Sequence, residues 1–257
     1  YPGVLKADAS IELSLENNRN GNVNVITSAG GTDIFVAGEF VRLGGTVARR
    51  LARYNASGSL DATFAANLGL GFHGSVNAVL ALPAGDGGRI LVGGNFSGLN
   101  GTARPRLVRL ESNGALDPTF GDGAFGPSGS VLAIARLASD RILIGGQFTS
   151  YNGVTSNRIA CIDASGAYVS TSVFNPGTGF NGTVTTLVVH EGKVLVGGSF
   201  TTYNGVAANG LVRLDATGAL ESAATFDIGA GFDGAVNALV VQADGRIVVG
   251  GAFANYK

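Results

Sequence analysis

Eighteen acidic side chains, two histidines and one cysteine are the groups through which this sequence could move protons, ligate a metal or attack a substrate. His73 and His190 stand in unrelated contexts, Gly-Phe-His-Gly and Val-Val-His-Glu, and together supply neither a zinc ligand set nor a catalytic triad. A single cysteine, Cys161, excludes an intrachain disulfide framework and a multi-thiolate metal site. Glycine runs resembling a dinucleotide fingerprint occur at Gly69/Gly71/Gly74, Gly121/Gly123/Gly126, Gly177/Gly179/Gly182 and Gly229/Gly231/Gly234. A dinucleotide site needs a strand before the glycines and a helix after them, whereas here a strand-like apolar run follows each. Calcium at the same loops would need oxygen ligands at fixed positions, yet the residue before the last glycine is His73, Phe125, Asn181 or Asp233. A glycosidase needs two facing carboxylates. The apolar runs 76–82, 131–137, 184–190 and 236–242 hold none, and only loop acids such as Asp86, Asp122, Asp227 and Asp233 remain for that chemistry. The expectation is no catalytic residue, no cofactor and no metal.

One recurrent pairing does suit a ligand. Tyr151-Asn152 and Tyr203-Asn204, with Leu99-Asn100 at the same place, set an aromatic face beside an amide, as stacking on and hydrogen-bonding a sugar require. In the competing reading, Tyr covers a hairpin and Asn makes its turn. Tyr151, Asn152, Tyr203, Asn204 and Asn100 are therefore the candidate partner or sugar contacts.

The element that positions these residues is a repeat. A glycine-rich tag ending in Phe recurs at Phe40, Phe96, Phe148, Phe200 and Phe253, with spacings of 56, 52, 52 and 53. Fourteen residues after the first four tags lie Tyr54, Leu110, Ile162 and Leu214; eighteen after lie Gly58, Gly114, Gly166 and Gly218. Each unit reads as four short strands. The first, 76–82 and its equivalents, and the second, 89–96 and its equivalents, are apolar on both faces and so must be covered on both. The third, 106–110, follows a turn marked Asn100-Gly101, Asn152-Gly153 or Asn204-Gly205, a pair that tolerates positive φ. The fourth is shorter, around 115–120. No stretch keeps a helical period, so the chain reads as all-β. Mid-strand Gly-Gly pairs are expected where another backbone approaches closely.

Four-stranded antiparallel units covered on both faces are the blades of a β-propeller. Phase then predicts five blades in a single domain, 1–257. The segment Val4-Leu5-Lys6-Ala7-Asp8-Ala9-Ser10 aligns with Ile159–Ser165 and with Leu211–Thr217. It is expected to add outer strands to the C-terminal blade, closing the ring and removing an open edge. Ile11, where other units have Gly, departs from the pattern. No Met opens the chain and no signal peptide is present, so the sequence reads as a processed product or an excerpt.

The run Gly-Arg-Ile-Leu-Val-Gly-Gly-Asn-Phe at 88–96, followed by Asn100-Gly101, Leu107-Val108-Arg109-Leu110 and Asn113-Gly114-Ala115-Leu116-Asp117-Pro118-Thr119-Phe120, resembles the bacterial delta-sixty repeat family of β-propellers. The resemblance covers nearly the whole chain. It implies a propeller from large secreted or surface proteins and assigns no chemistry. The third unit departs with Cys161 for Arg and Tyr168 for Leu, the first with Gly44-Gly45 for Asn-Gly.

Composition bounds the function. Charged residues are 14% of the chain and the net charge is -1, against about a quarter charged in typical domains. Near neutrality argues against a nucleic-acid partner, and no apolar run approaches the ~20 residues of a membrane helix. The reading is a non-enzymatic extracellular or cell-surface propeller module for adhesion, scaffolding or assembly. Its partners are other protein chains or surface glycans, with a homo-oligomer among the assemblies. A multivalent, lectin-like carbohydrate binder is the alternative, and a glycoside hydrolase or lyase ranks behind both.

Overall fold

The computed structural model describes residues 21–28, 32–43, 46–121, 126–138 and 141–256. The chain groups into two compact units, Tyr1–Ala124 and Phe125–Lys257. The first holds two three-stranded antiparallel sheets. One joins Val23–Ser28, Ile34–Gly38 and Leu51–Tyr54; the other joins Val76–Ala81, Ile90–Gly94 and Leu107–Leu110. The second unit holds Val131–Ala138, Arg141–Gly146 and Ile159–Asp163, then Val184–His190, Lys193–Gly198 and Leu211–Leu214, then the pair Ala235–Val241 and Ile247–Ala252. The chain is thus all-β with a repeated antiparallel sheet. Among the described residues the helical content is one short helix, Ala62–Asn67, capped by Asp61, whose carboxylate accepts the Phe64 N–H at 2.9 Å, and a 3-10 turn at Ala84–Asp86.

The central strands are buried along their length, as strands apolar on both faces must be: Ile90–Gly94 throughout, and Arg141–Gly146 and Lys193–Gly198 beyond their first residue. Their paired glycines answer two different approaches. A Cβ on Gly146 would lie 2.0 Å from the Ser130 carbonyl oxygen of its own sheet, and one on Gly145 would lie 2.5 Å from Val184 of the next. Any larger residue at either place would push strands apart.

One expectation needs correcting. The fourth strand shrinks to a single bridge, Tyr54 with Leu60, Leu110 with Leu116, Ile162 with Tyr168 and Leu214 with Leu220, because an Asx or helical turn takes the chain away at once. Four of the five tag phenylalanines are buried, Phe40, Phe96, Phe148 and Phe200, at 2% exposure or less. Phe253 is only half-buried, since among the described residues no third strand lies beside Ile247–Ala252. The closing strands expected at 4–13 lie outside the described residues.

Each first strand also carries a bulge, which in four of the five the sequence showed only as a polar interruption and in the third not at all. The register slips at Asn24, Asn77, Leu132, Thr185 and Asn237. At Asn24, Asn77 and Thr185 the extra residue turns its side chain toward the neighbouring sheet, as a bulge allows. Asn24 Nδ2 donates to the Val76 carbonyl at 3.1 Å and to Asn77 Oδ1 at 2.9 Å, and the Thr185 hydroxyl donates to the Val236 carbonyl.

Candidate functional site

The five predicted contact residues lie on two-residue hairpins between the second and third strands. Gly98–Leu99 pairs with Thr102–Ala103, Ser150–Tyr151 with Val154–Thr155, and Thr202–Tyr203 with Val206–Ala207. Asn100, Asn152 and Asn204 take φ of 49°, 48° and 46°, each followed by Gly at 77–79°. Two successive positive φ values define the tight turn that Asn-Gly favours.

The tyrosines do not face solvent. Tyr151 is 3% exposed and Tyr203 1%. The Tyr151 hydroxyl donates to the Gly166 carbonyl at 2.5 Å, and the Tyr203 hydroxyl donates to that of Gly218. The Tyr203 ring packs on Phe180 with centroids 4.5 Å apart, and burial pushes its hydroxyl well above the ordinary tyrosine range. The expected stacking faces are thus spent inside the sheet unit: each ring fastens its hairpin under the turn between the third and fourth strands. Replacing Tyr203 with Phe should cost about 1–2 kcal/mol, since a buried carbonyl loses its donor. Urea denaturation measures this; an unchanged midpoint would show that the hydroxyl is not tied.

The asparagines are exposed, yet two are engaged on one side. Asn100 Oδ1 accepts the Leu70 N–H at 2.9 Å, and Asn204 Oδ1 accepts the Thr178 N–H at 3.1 Å. Asn152 makes the same turn, its backbone N–H reaching the Gly126 carbonyl at 3.2 Å. That bond corresponds to Asn100 on Gly71 and Asn204 on Gly179. Gly126 therefore matches Gly71, so the fingerprint at Gly121/Gly123/Gly126 is an out-of-register coincidence. The other three glycine runs lead into strands, at Val76, Val184 and Ala235, which removes the helix a dinucleotide needs.

The loop position once weighed for calcium has a different task. Asn181 Oδ1 accepts the Thr201 and Thr202 N–H groups, Asp233 Oδ1 those of Ala254 and Asn255, and the Ser128 hydroxyl those of Thr149 and Ser150. In these three repeats one side chain fastens the start of the hairpin, whereas at His73 the backbone alone does so, its carbonyl accepting the Ser97 N–H at 3.2 Å and its N–H reaching the Gly98 carbonyl at 3.0 Å. Other carboxylates are equally committed. Burial pushes the Asp163 and Asp215 carboxyls upward, but bonds from Ser165 and Ala167, and from Thr217 and Ala219, bring both below the usual range. Glu221 is held low by Lys193 and Arg213. Asp227 closes its loop on the Gly229 N–H at 2.8 Å, and Asp122 lies outside the described residues. Among the described residues no three His, Cys, Asp or Glu side chains come together as a metal site, and no helix is long and apolar enough to cross a membrane. Cys161 is buried in its strand.

Sequence reasoning missed the exposed apolar side chains. Val154 and Val206, one residue past the turn glycines, are 42% and 52% exposed at the same place in consecutive repeats. A Val following Asn-Gly was the available signal.

Repeated, doubly covered antiparallel sheets joined by glycine-rich loops define a protein of the β-propeller class. The chain belongs to the family described as domain of unknown function (DUF5122) beta-propeller, which it matches over residues 33–64, 88–120, 137–167, 192–223 and 242–257. No curated protein matches it.

Proposed function

We propose that the chain is a non-enzymatic propeller module, extracellular or on a cell surface, that serves adhesion, scaffolding or assembly. In this reading residues 1–257 form one domain of five blades of the delta-sixty kind, the ring closed by N-terminal strands on the C-terminal blade. The observation that carries it is the division of labour at the hairpins. The polar groups repeated there are taken up in turns and loops, while Val154 and Val206 recur as exposed apolar tips. Exposed apolar groups at a repeated position suit contact with another protein surface, and the low charge leaves little repulsion to oppose it. The composition, with Gly, Asn, Ser and Thr in place of charge, supports the extracellular assignment.

The lectin reading keeps one observation, the exposed amides of Asn100, Asn152 and Asn204. A glycan array probed with the full chain tests the choice. The contact reading expects no retained sugar. Saturable binding that an Asn100→Ala, Asn204→Ala double variant loses would establish the carbohydrate binder instead. Hydrolysis of a glycan that disappears with Asp233→Asn would revive an enzyme.

A further inference from the structure

The end of the first unit that carries the hairpins between second and third strands holds arginines with no carboxylate beside them. Arg49 and Arg50 lead into Leu51–Tyr54, and Arg104 follows the hairpin of Gly98–Leu99 and Thr102–Ala103. All three are half-buried, and among the described residues none of them makes an ion pair. Glu39 follows the Gly38 whose N–H reaches the Arg50 carbonyl, but its carboxylate accepts from Asn22 Nδ2 at 3.2 Å. The loop 69–72 lies among the arginines. Arg49 donates to the Gly69 carbonyl and Arg50 to that of Phe72, while on the other flank Asn100 Oδ1 accepts the Leu70 N–H and Leu99 bridges Phe72. Leu70 is 66% exposed, at a place where later repeats have Thr178 and Ala230.

Fastening this loop does not require charge. At the place of Arg49 stand Asn157 and Asn209, whose neutral Nδ2 groups donate to the Thr178 and Ala230 carbonyls at 2.9 and 2.8 Å. At the place of Arg50 the fourth repeat has Gly210, with φ of 76° where Arg50 has 75°. Such left-handed backbone suits glycine and strains a residue with a side chain, and Arg49 adds a second strained residue at 47°. The backbone is thus served by Asn-Gly, yet the first unit has Arg-Arg. Arg104 is no better settled. Its Nε is buried with no hydrogen-bond partner among the described residues, and its Nη1 reaches the Ala103 carbonyl at a long 3.4 Å.

We propose that this end of the first unit binds an acidic peptide segment of a partner protein, with carboxylates on Arg49, Arg50 and Arg104 and an apolar side chain on Leu70. The guanidinium fork matches a carboxylate with two parallel bonds, and each arginine keeps donors beyond the carbonyl it holds. A carboxylate that draws Arg104 outward also relieves its unpartnered Nε. Leu70 decides the class of partner. A polysaccharide or nucleic acid brings anions without an aliphatic side chain; a peptide brings both. The site lies within the first unit and depends neither on the number of blades nor on Val154 and Val206.

Fluorescence anisotropy tests this, with the full chain titrated at low ionic strength into a labelled peptide that has glutamates on both sides of a central leucine. Wild type should bind saturably and lose affinity as salt is added. The variant Arg49→Asn with Arg50→Gly copies Asn209-Gly210, so it should keep or raise Tm yet bind about tenfold more weakly. Leu70→Ser should weaken this peptide about threefold and leave unaffected a peptide with serine for its leucine. No binding by wild type would overturn the proposal. So would unchanged binding by the arginine variant, and a lowered Tm beside it would make the two arginines loop fasteners. If that variant loses stability and binding together, Arg104→Gln decides, since that side chain holds no bond to the loop: weaker binding at the wild-type Tm upholds the site, and unchanged binding overturns it. Tighter binding of polygalacturonate than of the peptide, lost in the same variants, would transfer the site to an anionic polysaccharide and overturn the peptide assignment.

Discussion

Replacing Phe200 with Ala lowers the free energy of unfolding by about 3–5 kcal/mol, the range for truncating a buried aromatic ring. Phe200 is 2% exposed and closes the second strand Lys193–Gly198. Its ring lies on Phe180 with centroids 4.4 Å apart, inside one cluster with Val184, Tyr203 and Val212. The Gly197-Gly198 pair on one side has no side chains that could move into the vacated volume, and the backbone contacts there are already at their closest. Collapse is thereby restricted, which places the loss toward the upper end of the range. Chemical denaturation followed by tyrosine fluorescence measures it. A loss under about 1 kcal/mol would mean that the tag phenylalanine is not the packing centre of its repeat.

The second large effect is electrostatic. Arg109 and Asp117 are 5% and 1% exposed, and Nε donates to Oδ2 at 2.7 Å. Asp117 Oδ1 also accepts the Thr119 N–H at 2.8 Å and its hydroxyl at 2.6 Å, and the guanidinium lies over Phe120. Arg109→Ala leaves a buried carboxylate with, among the described residues, the half-exposed Arg89 at 3.5 Å as its remaining cation, and should cost about 3–5 kcal/mol at neutral pH. The pH dependence identifies the group. Burial pushes the Asp117 carboxyl upward, but Thr119 and Arg109 outweigh it and hold it below the ordinary carboxylate range. With the folded pKa depressed, the carboxylate's contribution is present above its unfolded pKa, about 3.9, and is lost as pH falls through the folded value. In Arg109→Ala the same carboxyl takes up its proton at higher pH, which removes the unpaired charge. The gap between wild type and variant should therefore narrow as pH drops from 7 towards 3. A constant gap over that range would place the loss in packing rather than charge.

The fold was largely legible because its punctuation is local. The Gly-Gly-x-Phe tags mark where strands cross closely, and Asn-Gly marks turns that only positive φ can make, so phase alone located each sheet. What escaped depends on partners distant in sequence. Tyr151 and Tyr203 read identically whether their rings meet solvent or lie under Gly166 and Gly218, and the deciding atom is a carbonyl fifteen residues away. The glycine run at Gly121 imitates its neighbours three residues out of phase, and only the bond from Asn152 to Gly126 shows the true correspondence. The bulges at Asn24, Asn77 and Thr185 were visible only as polar residues in apolar strands. Their hydrogen bonds to the neighbouring sheet belong to packing and not to any local pattern.

The contact account is tested most directly by sedimentation equilibrium of the full chain across micromolar concentrations, beside a Val154→Glu, Val206→Glu double variant. Both valines are exposed, so the variant should keep wild-type circular dichroism. The account predicts that wild type associates and that the variant sediments as the monomer, because two added carboxylates per chain oppose contact at the hairpin tips. Wild type that stays monomeric throughout, or a variant that associates as strongly as wild type, would contradict assembly through this surface.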